Sequence, residues 1–83
     1  MVEYKYKSRN VNKGGVKMKG FGKKIKRLRQ KKELNQSQLA EKLGVSTSAV
    51  SQYELEERIP RDETKIKIAK FFDVKVSDIF FKN

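Results

Sequence analysis

Residues 36–55 read QSQLAEKLGVSTSAVSQYEL, from Gln36 to Leu55, and their spacing decides the fold. Asn35, immediately before, offers a side-chain oxygen as an N-cap, and Gln38 stands three residues on, the spacing of a capping box. A helix is expected over Gln36–Leu43, with Leu39, Ala40 and Leu43 turned inward. Gly44 stops it, because glycine enters the left-handed region without a Cβ penalty. Ser46 is the next N-cap, and a further helix runs from Thr47 to about Leu55 with Val50 and Tyr53 on its inner side. Ala40 is small where the two helices must approach, and Val45 and Val50 fill the gap between them.

Outward from this pair the same helical spacing continues. Phe21, Ile25 and Leu28 form one stripe of a helix from Phe21 to about Lys32, whose other faces carry Lys23, Lys24, Lys26, Arg27, Lys31 and Lys32. Glu56 to Arg61 is a loop containing the single proline, Pro60. Asp62 is expected to cap a fourth helix ending near Phe72, with Ile66, Ile68, Ala69 and Phe72 inward. Asp73 to Lys75 turns the chain into a short last helix, Val76–Phe80. No stretch reads as a core strand. The expected class is therefore all-α, with four to five short helices over residues 20–83, after a basic extension over residues 1–19 that is expected to be flexible.

Composition bounds the chemistry. A chain of 83 residues makes one small domain at most, for which dimerisation is a common source of added stability. With no cysteine and no histidine, disulfides, thiolate or imidazole metal sites and imidazole catalysis are excluded. No glycine-rich phosphate loop or paired-carboxylate cleft is present, so the expectation is no enzyme, no cofactor and no metal. No apolar run is long enough for a membrane span, and the N-terminus lacks the apolar core of a secretory signal, which points to the cytoplasm. Lys and Arg outnumber Asp and Glu by 21 to 10, a net charge of +11 that favours a polyanionic partner. Charge alone does not say which.

Two short helices on a glycine turn are the physical recipe for a helix-turn-helix, whose second helix projects from the body and fits the DNA major groove. At this point the chain resembles the phage repressor and Cro-type helix-turn-helix proteins, often called Xre-like. The resemblance runs from about Phe21 to Phe80. It is carried by Ile25-Lys26-Arg27-Leu28-Arg29, Leu34-Asn35-Gln36-Ser37-Gln38-Leu39-Ala40, Leu43-Gly44-Val45-Ser46, Val50-Ser51-Gln52-Tyr53-Glu54, Pro60, Ile68-Ala69-Lys70 and Val76-Ser77-Asp78-Ile79-Phe80. It implies a five-helix, lambda-repressor-like domain with the helix-turn-helix at helices 2 and 3, binding a near-palindromic operator as a homodimer.

Carried over residue by residue, the resemblance puts base reading on Thr47, Ser48, Ser51 and Gln52. Gln52 can pair bidentately with adenine, and Thr47 can offer a hydroxyl or a methyl against thymine. Asn35 and Gln36, at the start of the second helix, fall where the family meets a backbone phosphate. Arg29 and Glu54 match a structural salt bridge of the family. The chain departs from the family after Glu54, where many relatives have Asn-Gly and a basic residue and this sequence has Leu55-Glu56-Glu57-Arg58. Two carboxylates repel a phosphate there, which leaves Arg58 and Arg61 as the expected backbone contacts, or turns the loop toward a protein partner. An exposed phenylalanine among Phe71, Phe80 and Phe81 would mark a dimer surface.

Residues 1–19 lie outside the resemblance. Val2, Tyr4 and Tyr6 alternate with polar residues before Asn12–Gly15, so the segment reads as a hairpin, a basic arm for a minor groove, or a tail, the last being favoured. Lys13-Gly14-Gly15-Val16-Lys17-Met18 can be encoded by AAA-GGA-GGT-GNN-AAA-ATG, which contains a ribosome-binding sequence just before a methionine codon. Met18 is thus expected to be the natural start, an expectation that N-terminal sequencing of the native protein decides. Three functional classes remain at this stage: a regulator of transcription, including an antitoxin that represses its own operon; a protein-interaction module with reduced base readout; and an enzyme, which the missing chemistry argues against.

Overall fold

A computed structural model describes residues 20–81, and the readings of residues 1–19, Met18 included, lie outside the described residues. Five helices follow one another: α1 Phe21–Lys31, α2 Gln36–Leu43, α3 Thr47–Glu54, α4 Asp62–Phe72 and α5 Val76–Phe80. No strand occurs among the described residues. α3 packs on α2 and α1, α4 on α2 and α5, and α5 on α1.

The local signals around α2 and α3 act as written. Asn35 Oδ1 accepts from the Gln38 amide at 2.7 Å, and Gln38 Oε1 accepts from the Asn35 amide at 2.8 Å, a complete capping box. Ser46 Oγ accepts from the Ala49 amide at 3.0 Å and so starts α3. Gly44 turns at φ 72°, and the Val45 amide closes onto the Ala40 carbonyl at 3.0 Å.

The same closure ends three other helices on residues that are not glycine. Glu33, Glu56 and Asp73 have φ of 60°, 60° and 57°. In each case the left-handed residue and its successor donate back to carbonyls of the last turn: Glu33 to Gln30 and Leu34 to Arg29, Glu56 to Tyr53 and Glu57 to Gln52, Asp73 to Lys70 and Val74 to Ala69. These are Schellman reversals, which satisfy the carbonyls a helix end leaves over. A side chain in this region costs roughly 1–2 kcal/mol, so the satisfied carbonyls and the packing beyond must offset it.

One core holds the helices together. Phe21, Ile25, Leu39, Ala40, Leu43, Ala49, Val50, Tyr53, Ile68, Phe72, Ile79 and Phe80 are buried in a single cluster, edged by Leu28, Val45, Phe71, Val74 and Val76. Phe21 and Phe80 meet with ring centroids 5.5 Å apart, joining the first helix to the last.

Two expectations for α4 are corrected. Asp62 is the first helical residue, and the extended N-cap position is Arg61, with no side-chain cap. Asp62 and Glu63 instead place charge in the first turn, where the helix dipole favours it. Ile66 is not inward but 50% exposed, and Lys65 is buried in its place. The buried positions 65, 68, 69 and 72 form one stripe, and Ile66 lies roughly 100° around the helix from Lys65. Lys65 is accommodated because its stem crosses the aromatic end of the core. Its Nζ lies 5.6 and 5.5 Å from the Phe80 and Phe81 ring centroids and 3.6 Å from Asp62 Oδ1.

Candidate nucleic-acid interface

The outer face of α3 carries Thr47, Ser48, Ser51 and Gln52, at helix positions i, i+1, i+4 and i+5. Thr47 and Ser48 are exposed, and Ser51 and Gln52 half-buried. All four are uncharged hydrogen-bonding side chains, with no carboxylate among them to repel a polyanion. Their opposite side is Ala49, Val50 and Tyr53, all buried, so the face cannot roll away from solvent without opening the core.

A polar network fixes the orientation of this face. Arg29 Nε donates to Glu54 Oε2 at 2.6 Å and Nη2 to Glu54 Oε1 at 3.1 Å, a two-pronged pair between α1 and the end of α3. Both side chains are nearly buried, at 11% and 4% exposure. Arg29 Nη1 also donates to the Leu34 carbonyl at 2.8 Å. Gln36 Nε2 donates to Glu54 Oε1 at 2.9 Å, which adds the start of α2. Hydrogen bonding to Glu54 raises the Arg29 guanidinium above its ordinary value against the opposing effect of burial, so it stays cationic at every working pH. Glu54 therefore joins three helices at one carboxylate.

Backbone approach completes the junction. A Cβ built on Gly22 would lie 2.3 Å from the Glu54 carbonyl oxygen and 2.8 Å from its carbon. Only glycine lets the first turn of α1 sit against the end of α3. The Gly22 amide, one of the donors that a helix start leaves without an intrahelical partner, is taken by Glu56 Oε2 at 3.0 Å. α1 has no acidic residue in its own first turn and no side-chain cap, so the carboxylate arrives from 34 residues away.

The structure places the remaining expected contacts as follows. Asn35 is exposed, and its side chain is engaged in the capping box. The Gln36 side chain is turned toward Glu54, while the amides of Gln36 and Ser37 at the first positions of α2 have no partner within the helix. Ser37 Oγ lies 3.2 Å from Thr47 Oγ1, so the starts of α2 and α3 meet at the surface. Arg58 is exposed and folds back on α3, with its guanidinium carbon 5.9 Å from the Tyr53 ring centroid and Nη1 3.5 Å from Gln52 Oε1. Arg61 is exposed beside the buried Pro60. Of the basic side chains on α1, Lys24 donates to the Asp78 carbonyl at 3.2 Å and Lys32 lies 5.3 Å over the Phe71 ring. Lys23, Lys26, Arg27 and Lys31 are exposed.

Gly22, Glu56 and the Gln36–Glu54, Ser37–Thr47 and Gln52–Arg58 contacts escape a reading of sequence alone. The one available signal was a second glycine, Gly22, two residues after Gly20 and inside an otherwise helical stripe. Among the described residues, no group of His, Cys, Asp or Glu could hold a metal ion, and no helix is long and apolar enough to cross a membrane.

Comparison with known proteins gives one consistent result. The family model for Helix-turn-helix matches residues 25–79. The chain is 41% identical over 59 residues to the HTH-type transcriptional activator BcrR of Enterococcus faecalis, covering 71% of this chain and 29% of that protein. It is 36% identical over 59 residues to the cryptic phage CTXphi transcriptional repressor RstR of Vibrio cholerae, covering 71% of this chain and 53% of that one. It thus spans about half of the latter's length and less than a third of the former's. Among solved structures it is similar to the P22 c2 repressor protein in complex with a synthetic operator, with a TM-score of 0.70 and 28% identity over 72% of this chain and 91% of that one.

Proposed function

We propose, from the premise that the chain belongs to the helix-turn-helix family, that it is a sequence-specific double-stranded DNA-binding regulator of transcription. It acts as a repressor on a near-palindromic operator in the bacterial or phage-infected cytoplasm, and its role is binding, not catalysis. The observation that carries this reading is the outer face of α3. Four uncharged hydrogen-bonding side chains stand together on a helix whose pitch and height are set by the Glu54 junction. Thr47, Ser48, Ser51 and Gln52 read base edges. The amides at the start of α2, with Gln36 and Asn35, and the cations Arg58 and Arg61 meet phosphates.

The test is selection of bound duplex from a random pool, followed by a salt titration. A preferred sequence that survives competitor DNA, with one position lost in Gln52→Ala, supports the reading. Binding that is equal on all sequences overturns it.

A specific observation favours a protein contact as well. Leu55 and Ile59, in the loop after α3, are 65% and 52% exposed, and Ile66 and Phe81 are 50% and 44% exposed. We assign Leu55 and Ile59, exposed together in one loop, to contact with a second copy of the chain, since two reading helices on a near-palindrome require a two-fold pair. Light scattering measures the mass in solution and on operator DNA. Ile59→Asp is expected to leave a monomer with weakened operator binding. A wild-type protein that binds its operator as a monomer refutes the pairing and leaves the loop to a different protein partner, the arrangement of an interaction module or of an antitoxin bound to its toxin.

A further inference from the structure

The end of α3 reverses the chain. The Glu57 amide donates to the Gln52 carbonyl at 2.9 Å and the Glu56 amide to the Tyr53 carbonyl at 3.0 Å, with Glu56 left-handed between them. This reversal lays Arg58 back along the helix that the chain has just left. The guanidinium comes to rest over the ring of Tyr53, 5.9 Å from its centroid, and Nη1 donates to Gln52 Oε1 at 3.5 Å. Tyr53 is only 4% exposed, so the ring beneath Arg58 is a fixed platform. Arg58 itself is exposed.

We propose that Arg58 sets base specificity by positioning Gln52: its guanidinium turns the amide oxygen toward itself and puts a cation beside it, which makes Gln52 a reader of guanine instead of adenine. The proposal rests on the reading of α3 as the base-contacting helix. A glutamine amide has one acceptor oxygen and one donor NH2 group. Adenine's major-groove edge pairs an acceptor, N7, with a donor, the N6 amine, so bidentate reading of adenine needs both ends of the amide. Guanine's edge has two acceptors, N7 and O6. With one lone pair of Oε1 turned to a guanidinium, Gln52 and Arg58 together present the amide NH2 donor and a cation, with a single acceptor lone pair left between them. Guanine satisfies that surface. Adenine brings its N6 amine, a donor, against a cation and an amide oxygen turned toward that cation, which is the less favourable arrangement. At 3.5 Å the bond is long for a hydrogen bond, but it is charge-assisted, and the Tyr53 ring holds the donor in place independently. The residue that chooses the base thus lies in the loop, six positions beyond the one that touches it.

The experiment is selection from a random duplex pool with the wild-type chain, Gln52→Ala, Arg58→Met and Arg58→Lys, with a thermal melt of each. Methionine keeps an apolar stem over Tyr53 and removes the donor. Lysine keeps a cation and a donor. Gln52→Ala identifies the base position concerned. The wild type is expected to prefer guanine there by roughly tenfold over adenine. Arg58→Met is expected to move that preference to adenine at the one position, and Arg58→Lys to retain guanine, all with unchanged melts. A role limited to phosphate would instead weaken every sequence alike and lower the salt slope by about one, with base preference unmoved, and that result overturns the proposal. So does a wild-type preference for adenine at the Gln52 position. If Arg58→Met melts early, the Arg58→Lys and wild-type selections still decide, since guanine in neither refutes it. A wild-type chain that selects no sequence at all sinks the assignment of α3 itself, a failure seen before any variant is compared.

Discussion

Gly22→Ala is the substitution for which sequence and structure predict opposite signs. Glycine within a helix costs about 1 kcal/mol relative to alanine, so propensity alone makes the change stabilising. The geometry reverses this. The new Cβ would stand 2.3 Å from the Glu54 carbonyl oxygen, and ordinary contact begins near 3.4 Å, so α1 and the end of α3 must separate by about 1 Å. The atom it meets is backbone and cannot rotate aside. Overpacking of this kind costs roughly 1–3 kcal/mol. The same displacement draws Arg29 and Gln36 away from the Glu54 carboxylate, where the bonds are 2.6, 3.1 and 2.9 Å, and losing one charged hydrogen bond adds about 1.5–3 kcal/mol. Less the propensity gain, the net destabilisation is about 3 kcal/mol. A domain of this size has roughly 3–9 kcal/mol in all. The assay is urea and thermal unfolding followed by circular dichroism, in which a loss of that size lowers Tm by roughly 12–24 °C. Gly20→Ala is the internal control. Gly20 has φ 86° but nothing within 4 Å of an added Cβ, so it pays only backbone strain of roughly 1–2 kcal/mol. A Gly22→Ala chain as stable as the wild type, or more so, refutes the close approach of α1 and α3.

Further outcomes follow from the same network. Replacing Arg29 by Met or Glu54 by Leu alone should cost about 3–5 kcal/mol by urea unfolding, since each strands a nearly buried charge, whereas the double replacement should cost far less. The left-handed residues give a second contrast, read from Tm. Glu33→Gly should stabilise by about 1 kcal/mol by relieving backbone strain, and Glu56→Gly should be near neutral, because it relieves the same strain but removes the acceptor from the Gly22 amide. In α4, Ile66→Lys should change stability by no more than about 0.5 kcal/mol and Lys65→Ala by more than 1 kcal/mol, which urea titration of the pair will resolve.

What could be read from the sequence divides by the range of the forces concerned. The ends of α2 and the start of α3 depend on neighbours within five residues: Asn35 with Gln38, Gly44 with Ala40, Ser46 with Ala49. Such contacts are written in the local order of residues. The inward face of α4 is not, because the register comes from where the preceding loop releases the chain. Once α4 begins at Asp62, an isoleucine at 66 faces water and a lysine at 65 faces the core. Glu33, Glu56 and Asp73 adopt a left-handed backbone that their residue types do not request, so only the carbonyls waiting in the preceding turn reveal it. The face of α3 was legible once the helix was placed, since Thr47, Ser48, Ser51 and Gln52 share it by pitch alone. Their supports were not, because Glu54 gathers partners 18 and 25 residues away.

The acidic turn after α3 illustrates how placement changes the meaning of a charge. Counted along the chain, Glu54, Glu56 and Glu57 are three carboxylates at the end of α3, and they argue against a phosphate nearby. In three dimensions two of them are engaged by other helices. Glu54 is enclosed by Arg29 and Gln36. Glu56 turns to the first turn of α1, where an amide donor and the positive end of the helix dipole balance it. Glu57 is left at the surface beside Arg58, of opposite sign, and beyond about 8 Å in physiological salt such a pair presents little net field. The left-handed conformation of Glu56 serves both effects at once, since it sends the carboxylate toward Gly22 and the following chain, with Arg58, back over Tyr53 and Gln52. A turn that by composition should repel nucleic acid instead anchors α3 and carries an arginine to its surface.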